Sequence, residues 1–207
     1  MSFTLRLALI GAVMTGFLVL MLGQNLVHRA HGTEILVPVE GYDPRDILLG
    51  HYANIRTPLH RLNSQDLSAS DDLRQGDRVY VRLETGDDGL SRAVGLSADR
   101  PAEGVFIQGR IYSAYPAQGD WIEEPDPETG IPQRRLGPSP GLNYTIRYNI
   151  ERYYASQDRA LALQDRLREF NEDGEIGVSL ILALGRDGTP LIKGFVVDGD
   201  RRVDAVW

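Results

Sequence analysis

Between Arg6 and His28 lies a run of 21 uncharged residues, Leu7 to Val27. As a helix rising about 1.5 Å per residue it reaches roughly 31 Å, the thickness of a bilayer's hydrocarbon core. The apolar region of a removable signal peptide is shorter, about 7 to 15 residues, so this run is expected to stay as an anchor. Ala30-His31-Gly32 does have the small-x-small form of a cleavage site, which keeps removal open as an alternative. Flanking charge leaves the orientation undecided: Arg6 on one side faces Arg29, His28 and His31 on the other, a near tie by the positive-inside count. The chain therefore divides into an anchor over residues 1–31 and an external domain over 32–207.

The anchor carries a finer pattern. Ala8, Ala12 and Gly16 fall at i, i+4 and i+8, on one helix face, with Gly11 and Thr15 beside them. Small residues on one face let two backbones approach closely in lipid, which points to a membrane-protein partner. The competing account is that alanine and glycine are common in any membrane helix.

Composition limits what the external part can bind. Setting Arg6 and Arg29 aside leaves 20 basic against 29 acidic residues, a charge of −9. Such a domain is repelled by anionic lipid and by nucleic acid. The absence of cysteine excludes disulfides and thiol ligands. About 175 residues suffice for one domain with a real core.

After the anchor the pattern turns to short alternating runs. Glu34 to Glu40 reads as a strand, Pro38 placing it at a sheet edge. Residues Tyr42 to Asp46 form a turn, and Tyr52 to Arg56 resumes extended chain. Val79, Val81 and Leu83 alternate with polar residues across Asp77 to Glu84; Gly86 to Gly89 turns the chain and Ala93 to Leu96 returns as a hairpin. Val105 to Tyr112 and Tyr144 to Ile150 supply two more strands.

Pro116 to Gly141 holds six of the eleven prolines. It is either a long surface loop or a projecting ribbon with Glu123 and Glu124 opposite Arg134 and Arg135, Trp121 being its most conspicuous side chain. An amphipathic helix is expected from about Gln157 to Phe170, capped by Ser156, with Ala160, Leu163, Leu167 and Phe170 on one face. Ile176 to Leu184 and Leu191 to Val197 then form a final hairpin around Gly185 to Gly188, ending at Asp198 to Asp200. Six to eight strands with one helix give an α+β domain, mainly antiparallel β, preceded by a single N-terminal transmembrane helix.

The segment Asp43 to Arg56 resembles the signature of the GDYXXLXY family of membrane-anchored bacterial proteins, in which an Asp-Pro-Arg turn precedes a Gly-Asp-Tyr triplet that opens a strand. Asp43, Pro44, Arg45, Gly50 and Tyr52 match that pattern. His51 stands where the family has aspartate, Ile55 where it has leucine, and Thr57 where it has the final tyrosine. Ile146 to Tyr154 resembles the Tyr-Gly-Ile-Glu-Arg-Tyr-Phe run before the family's helix, and Ile192 to Gly199 its closing strand and Asp-Gly turn. The resemblance implies a single-span protein with an external domain, found alongside larger polytopic membrane proteins, and assigns no reaction.

Asp43, Pro44, Arg45, Gly50, His51 and Tyr52 are thus the candidate binding residues. A histidine at position 51 could titrate near neutral pH or ligate a metal. The structural account is preferred: Gly50 supplies a special torsion, Tyr52 packs its ring, and Asp43, Arg45 and Asp46 pin the corner. His28 and His31, with His60 further on, lack the spacing of a metal site, and no metal or cofactor is expected. Asp87 to Gly89 and Asp198 to Asp200 are turns and not calcium loops. A serine–lysine peptidase would need a nucleophile paired with the only lysine, Lys193. Ser179 and Lys193 could face each other across the final hairpin, but nothing there suggests an oxyanion hole.

The expectation is a non-enzymatic accessory of a polytopic membrane protein, in the cytoplasmic (inner) membrane with its domain in the periplasm. A periplasmic small-molecule or peptide binding module, using the strand edge near Pro38 or the Trp121 loop, is the alternative. The peptidase-like hydrolase is a remote third.

Overall fold

A computed structural model describes residues 2–40, 52–69, 73–125, 132–154 and 177–203. Helix α1 (Phe3–His31) opens the chain; the Ser2 hydroxyl caps it by accepting from the Leu5 N–H, and His28, Arg29 and His31 occupy its last turn. The Arg29 cation there complements the negative end of the helix dipole. None of its residues is buried, and it is long and apolar enough to cross a membrane.

The strands follow in order: β1 (Thr33–Pro38), β2 (Tyr52–Asn54), β3 (Arg61–Asn63), β4 (Ser68–Ala69), β5 (Arg78–Thr85), β6 (Ser91–Ser97) and β7 (Val105–Pro116). After these come β8 (Trp121–Pro125), β9 (Pro132–Leu136), β10 (Leu142–Arg147), β11 (Arg152–Tyr154), β12 (Val178–Leu184), β13 (Pro190–Val197) and β14 (Asp200–Val203). A six-stranded sheet runs β3-β10-β7-β5-β6-β4 and a four-stranded sheet β1-β12-β13-β14, with β2 paired to β11 and β8 to β9. All of these pairings are antiparallel except β4 with β6.

One core lies between the two larger sheets. Val79, Val81 and Leu83 point inward from β5, as their alternation requires, and meet Ile107, Ile111 and Ile146 of the neighbouring strands. The four-stranded sheet contributes Val37, Leu180, Leu182 and Phe195. Ile181 and Ala183, on the other face of β12, are equally buried, which explains why this strand is apolar without alternation. The turn between β12 and β13 docks onto the larger sheet, the Gln108 N–H donating to the Gly188 carbonyl at 2.8 Å.

Several expectations meet the structure directly. β1 is an edge strand, with Pro38 opposite Ser179. The Gly86 to Gly89 and Gly185 to Gly188 turns both close hairpins. The proline-rich segment is a ribbon, β8 against β9, with an acidic–basic pair across it. Glu123 lies opposite Arg134 at 3.8 Å, whereas Glu124 faces Gln133 and Arg135 faces Ile122. Fourteen strands stand among the described residues, against six to eight expected: β8 and β9 belong to the ribbon, and β3, β4, β11 and β14 are too short or too polar to alternate. The helix expected over 157–170 lies outside the described residues.

Candidate functional site

Of the family-signature residues, Asp43, Pro44, Arg45, Gly50 and His51 lie outside the described residues, and Tyr52 opens β2 opposite Tyr154 of β11. The two segments that carry the resemblance are therefore hydrogen-bonded partners: Ala53 faces Tyr153, Asn54 faces Arg152, and the Ile55 N–H donates to the Glu151 carbonyl at 2.8 Å. Ile55 is buried in the core and Thr57 completely buried. These two positions act by packing.

Thr57 begins a single 3-10 turn, Pro58–His60, that folds back on itself. The Thr57 N–H donates to His60 Nδ1 at 3.1 Å, while the His60 N–H donates to the Thr57 carbonyl at 3.0 Å. A backbone N–H can only donate, so Nδ1 is its acceptor; the other ring nitrogen, Nε2, is 3.6 Å from a carboxylate oxygen of Glu151. The Tyr148 ring meets the imidazole edge-on at 5.5 Å, and its hydroxyl donates to the Leu59 carbonyl at 2.8 Å.

Glu151 holds this corner together. Its carboxylate accepts from the Tyr148 N–H at 2.6 Å, closing a turn in which Asn149 takes a positive φ of 63°, a torsion asparagine tolerates. Burial pushes the Glu151 pKa up, but the His60 contact and backbone donors outweigh it and leave the carboxyl below its ordinary value. Burial, and then the Glu151 charge, raise the Tyr148 hydroxyl well above its ordinary value. Thr57 Oγ1, 3.0 Å from His60 Nδ1, completes a hydroxyl–imidazole–carboxylate series. The hydroxyl is fully buried, so what the series does is lock the turn.

Beside this corner opens a cleft of about 290 Å³, with Ile55, Ile146 and Tyr112 among its lining residues. A bulge shapes it. Thr145 pairs with Ser113 and Ile146 with Ile111, leaving Tyr112 as the extra residue of β7. The extra residue re-aims its side chain, and the Tyr112 ring lies under the Arg147 guanidinium at 3.6 Å. Arg56 and Arg61 also line the cleft. Gly109 permits the packing behind it, since a Cβ there would stand 2.6 Å from Ile146 and 2.8 Å from the Tyr148 ring.

The junction of anchor and domain is a second built feature. Gly32 alone separates α1 from β1. Arg29 reaches across to β13, donating to the Ile192 carbonyl at 3.2 Å and the Lys193 carbonyl at 2.9 Å. The His28 ring packs on the β12–β13 turn, its Nε2 3.1 Å from where a Gly185 side chain would begin. Lys193 donates to Glu34 at 3.0 Å, and Arg201 pairs with the same carboxylate. Arg201 foremost, and then Lys193, hold the Glu34 pKa below its ordinary value despite some desolvation.

The structure does not bring Ser179 and Lys193 together: Ser179 lies opposite Val196, and Lys193 is the unpaired residue of a bulge whose ammonium goes to Glu34. No group of three metal-ligating side chains occurs among the described residues. Ala8, Ala12 and Gly16 are exposed along α1. Trp121 is exposed at one end of the β8–β9 pairing, opposite Leu136. Sequence reasoning missed the His60–Glu151 pair, the Arg147–Tyr112 stack and the docking role of Arg29, treating the last only as a flanking charge. The one signal available was the position of Glu151 within the second resembling segment.

No curated protein and no solved structure matches the chain. The profile of the GDYXXLXY protein family matches residues 14–195, which take in most of α1, both paired segments and the sheets as far as Phe195. The chain belongs to the GDYXXLXY family.

Proposed function

We propose that this is a single-pass protein of the bacterial cytoplasmic membrane whose periplasmic β domain serves as a non-enzymatic accessory to a polytopic membrane protein. The observation that carries the reading is the Arg29 hydrogen bonding to β13, because it makes the anchor and the domain one unit instead of a domain on a tether. An address label needs only a flexible linker. A subunit that must present a domain in fixed register to a partner needs a fixed junction, and here one residue separates helix from sheet. The unburied apolar surface of α1, with its Ala8, Ala12 and Gly16 face, supplies the membrane side of that contact.

The test is to replace Ala12 and Gly16 by leucine in the full chain and measure crosslinking to neighbouring proteins in native membranes. Loss of a discrete crosslinked species, with insertion unchanged, is the expected result. An unchanged crosslinking pattern would show that the face is unused.

A further inference from the structure

The cleft beside β2 gathers arginines. The chain has a formal charge of −7, yet Arg56, Arg61 and Arg147 converge on this one cleft, against Glu40 and Glu151. The two carboxylates do not contribute equally to its field. Glu151 is occupied by the Tyr148 N–H and by His60, whereas Glu40 stands exposed at the rim, where its backbone bridges to Arg56. The lining therefore leans cationic within an anionic protein.

Arg147 gives the cleft its specificity. A guanidinium stacked on a ring loses its swing but keeps its in-plane N–H fork free, the geometry that grips a carboxylate through two parallel hydrogen bonds. Stacking on Tyr112 at 3.6 Å supplies that arrangement, and the β7 bulge is what puts the ring there. Beside the fork the accessible apolar surface is that of the half-exposed Tyr112 ring, Ile55 and Ile146 being buried. At about 290 Å³ the space lies at the small end of ligand pockets, which run from about 300 to 1,000 Å³. We infer that the cleft binds a small monocarboxylate with an apolar body, its carboxylate on Arg147 and its body against the Tyr112 ring. This inference does not depend on the accessory role proposed above.

The experiment is isothermal titration of the full-length protein in nanodiscs, with empty nanodiscs subtracted. The probes are benzoate and hydrocinnamate, with benzamide and inorganic phosphate as comparators. Saturable binding of at least one carboxylate is expected, at least tenfold tighter than benzamide or phosphate. Arg147→Lys, which keeps the charge and loses the fork, is expected to weaken it at least tenfold without shifting thermal unfolding; Tyr112→Leu, at a half-exposed position, should act in the same direction. The inference is overturned if neither carboxylate binds, or if benzamide matches them, which would make the site merely apolar. It is equally overturned if phosphate matches them, or if Arg147→Lys binds as the native chain does.

Discussion

The Arg29 guanidinium in the last turn of α1 donates to the Lys193 carbonyl in β13, 164 residues away in sequence, at 2.9 Å. Because the same guanidinium reaches Ile192 as well, the end of the helix is fixed against the strand in two directions. Lys193 in turn carries its own charge to Glu34 of β1, which Arg201 of β14 also holds. Helix end, first strand and last two strands are joined at one place.

Replacing Arg29 by glutamine should loosen that joint. Charge-assisted hydrogen bonds of this kind contribute about 1.5–3 kcal/mol each, so loss of the two is expected to cost at least about 3 kcal/mol in domain stability. The more telling readout is orientation. The chain has no cysteine, so spin labels at Val19→Cys and Arg202→Cys report one distance, expected to be narrow in the native chain and broad in Arg29→Gln.

Gly32→Ala should be costly for a different reason. A Cβ there would stand 2.8 Å from the His28 carbonyl oxygen and 2.9 Å from that of Leu184, and neither backbone atom can swing aside. Overpacking of this sort costs about 1–3 kcal/mol, read as a lower denaturation midpoint, whereas Gly23→Ala, with open space around it, should leave the midpoint unchanged.

Acid should weaken the domain through Glu151 and Glu34. Both carboxyls lie below their ordinary value of 4.5 in the folded chain, so the unfolded chain binds protons more readily. Their stabilisation is fully present above that value and is lost as pH falls through the lower folded values. Denaturant midpoints measured from pH 6 downward should fall, and Glu151→Gln should flatten the part of the decline that comes from the His60 corner.

The ribbon offers a contrast. Arg134 and Glu123 form an ion pair with both side chains more than two-thirds exposed, and such pairs contribute little. Arg134→Ala should change stability by less than about 0.5 kcal/mol, measured by chemical denaturation.

Where burial imposes a period, the fold was legible in the chain. Val79, Val81 and Leu83 showed one face of β5 because that face meets the core, and the two glycine-flanked hairpin turns showed themselves by their residue types. β14 escaped notice because all four of its residues are exposed, so no face is marked by apolar side chains. The His60 corner was hidden for another reason: Tyr148 reaches Leu59 across 89 residues, and no local spacing rule joins them. The Arg147–Tyr112 stack depends on a bulge, a property of strand pairing and not of either strand alone. Resemblance succeeded where periodicity could not, since the two segments it singled out turn out to pair as β2 and β11.

The proposed accessory role requires anchor and domain to work together on a membrane partner. Its most direct test is native mass spectrometry of the full-length protein, drawn from its own membrane in mild detergent, beside a chain whose residues 3–27 are exchanged for an unrelated membrane helix while His28 to Gly32 are kept. A complex of fixed stoichiometry with a polytopic membrane protein is expected for the native chain, and its loss on exchange with the domain still folded. A native chain without such a partner, or a complex that survives the exchange, would contradict it.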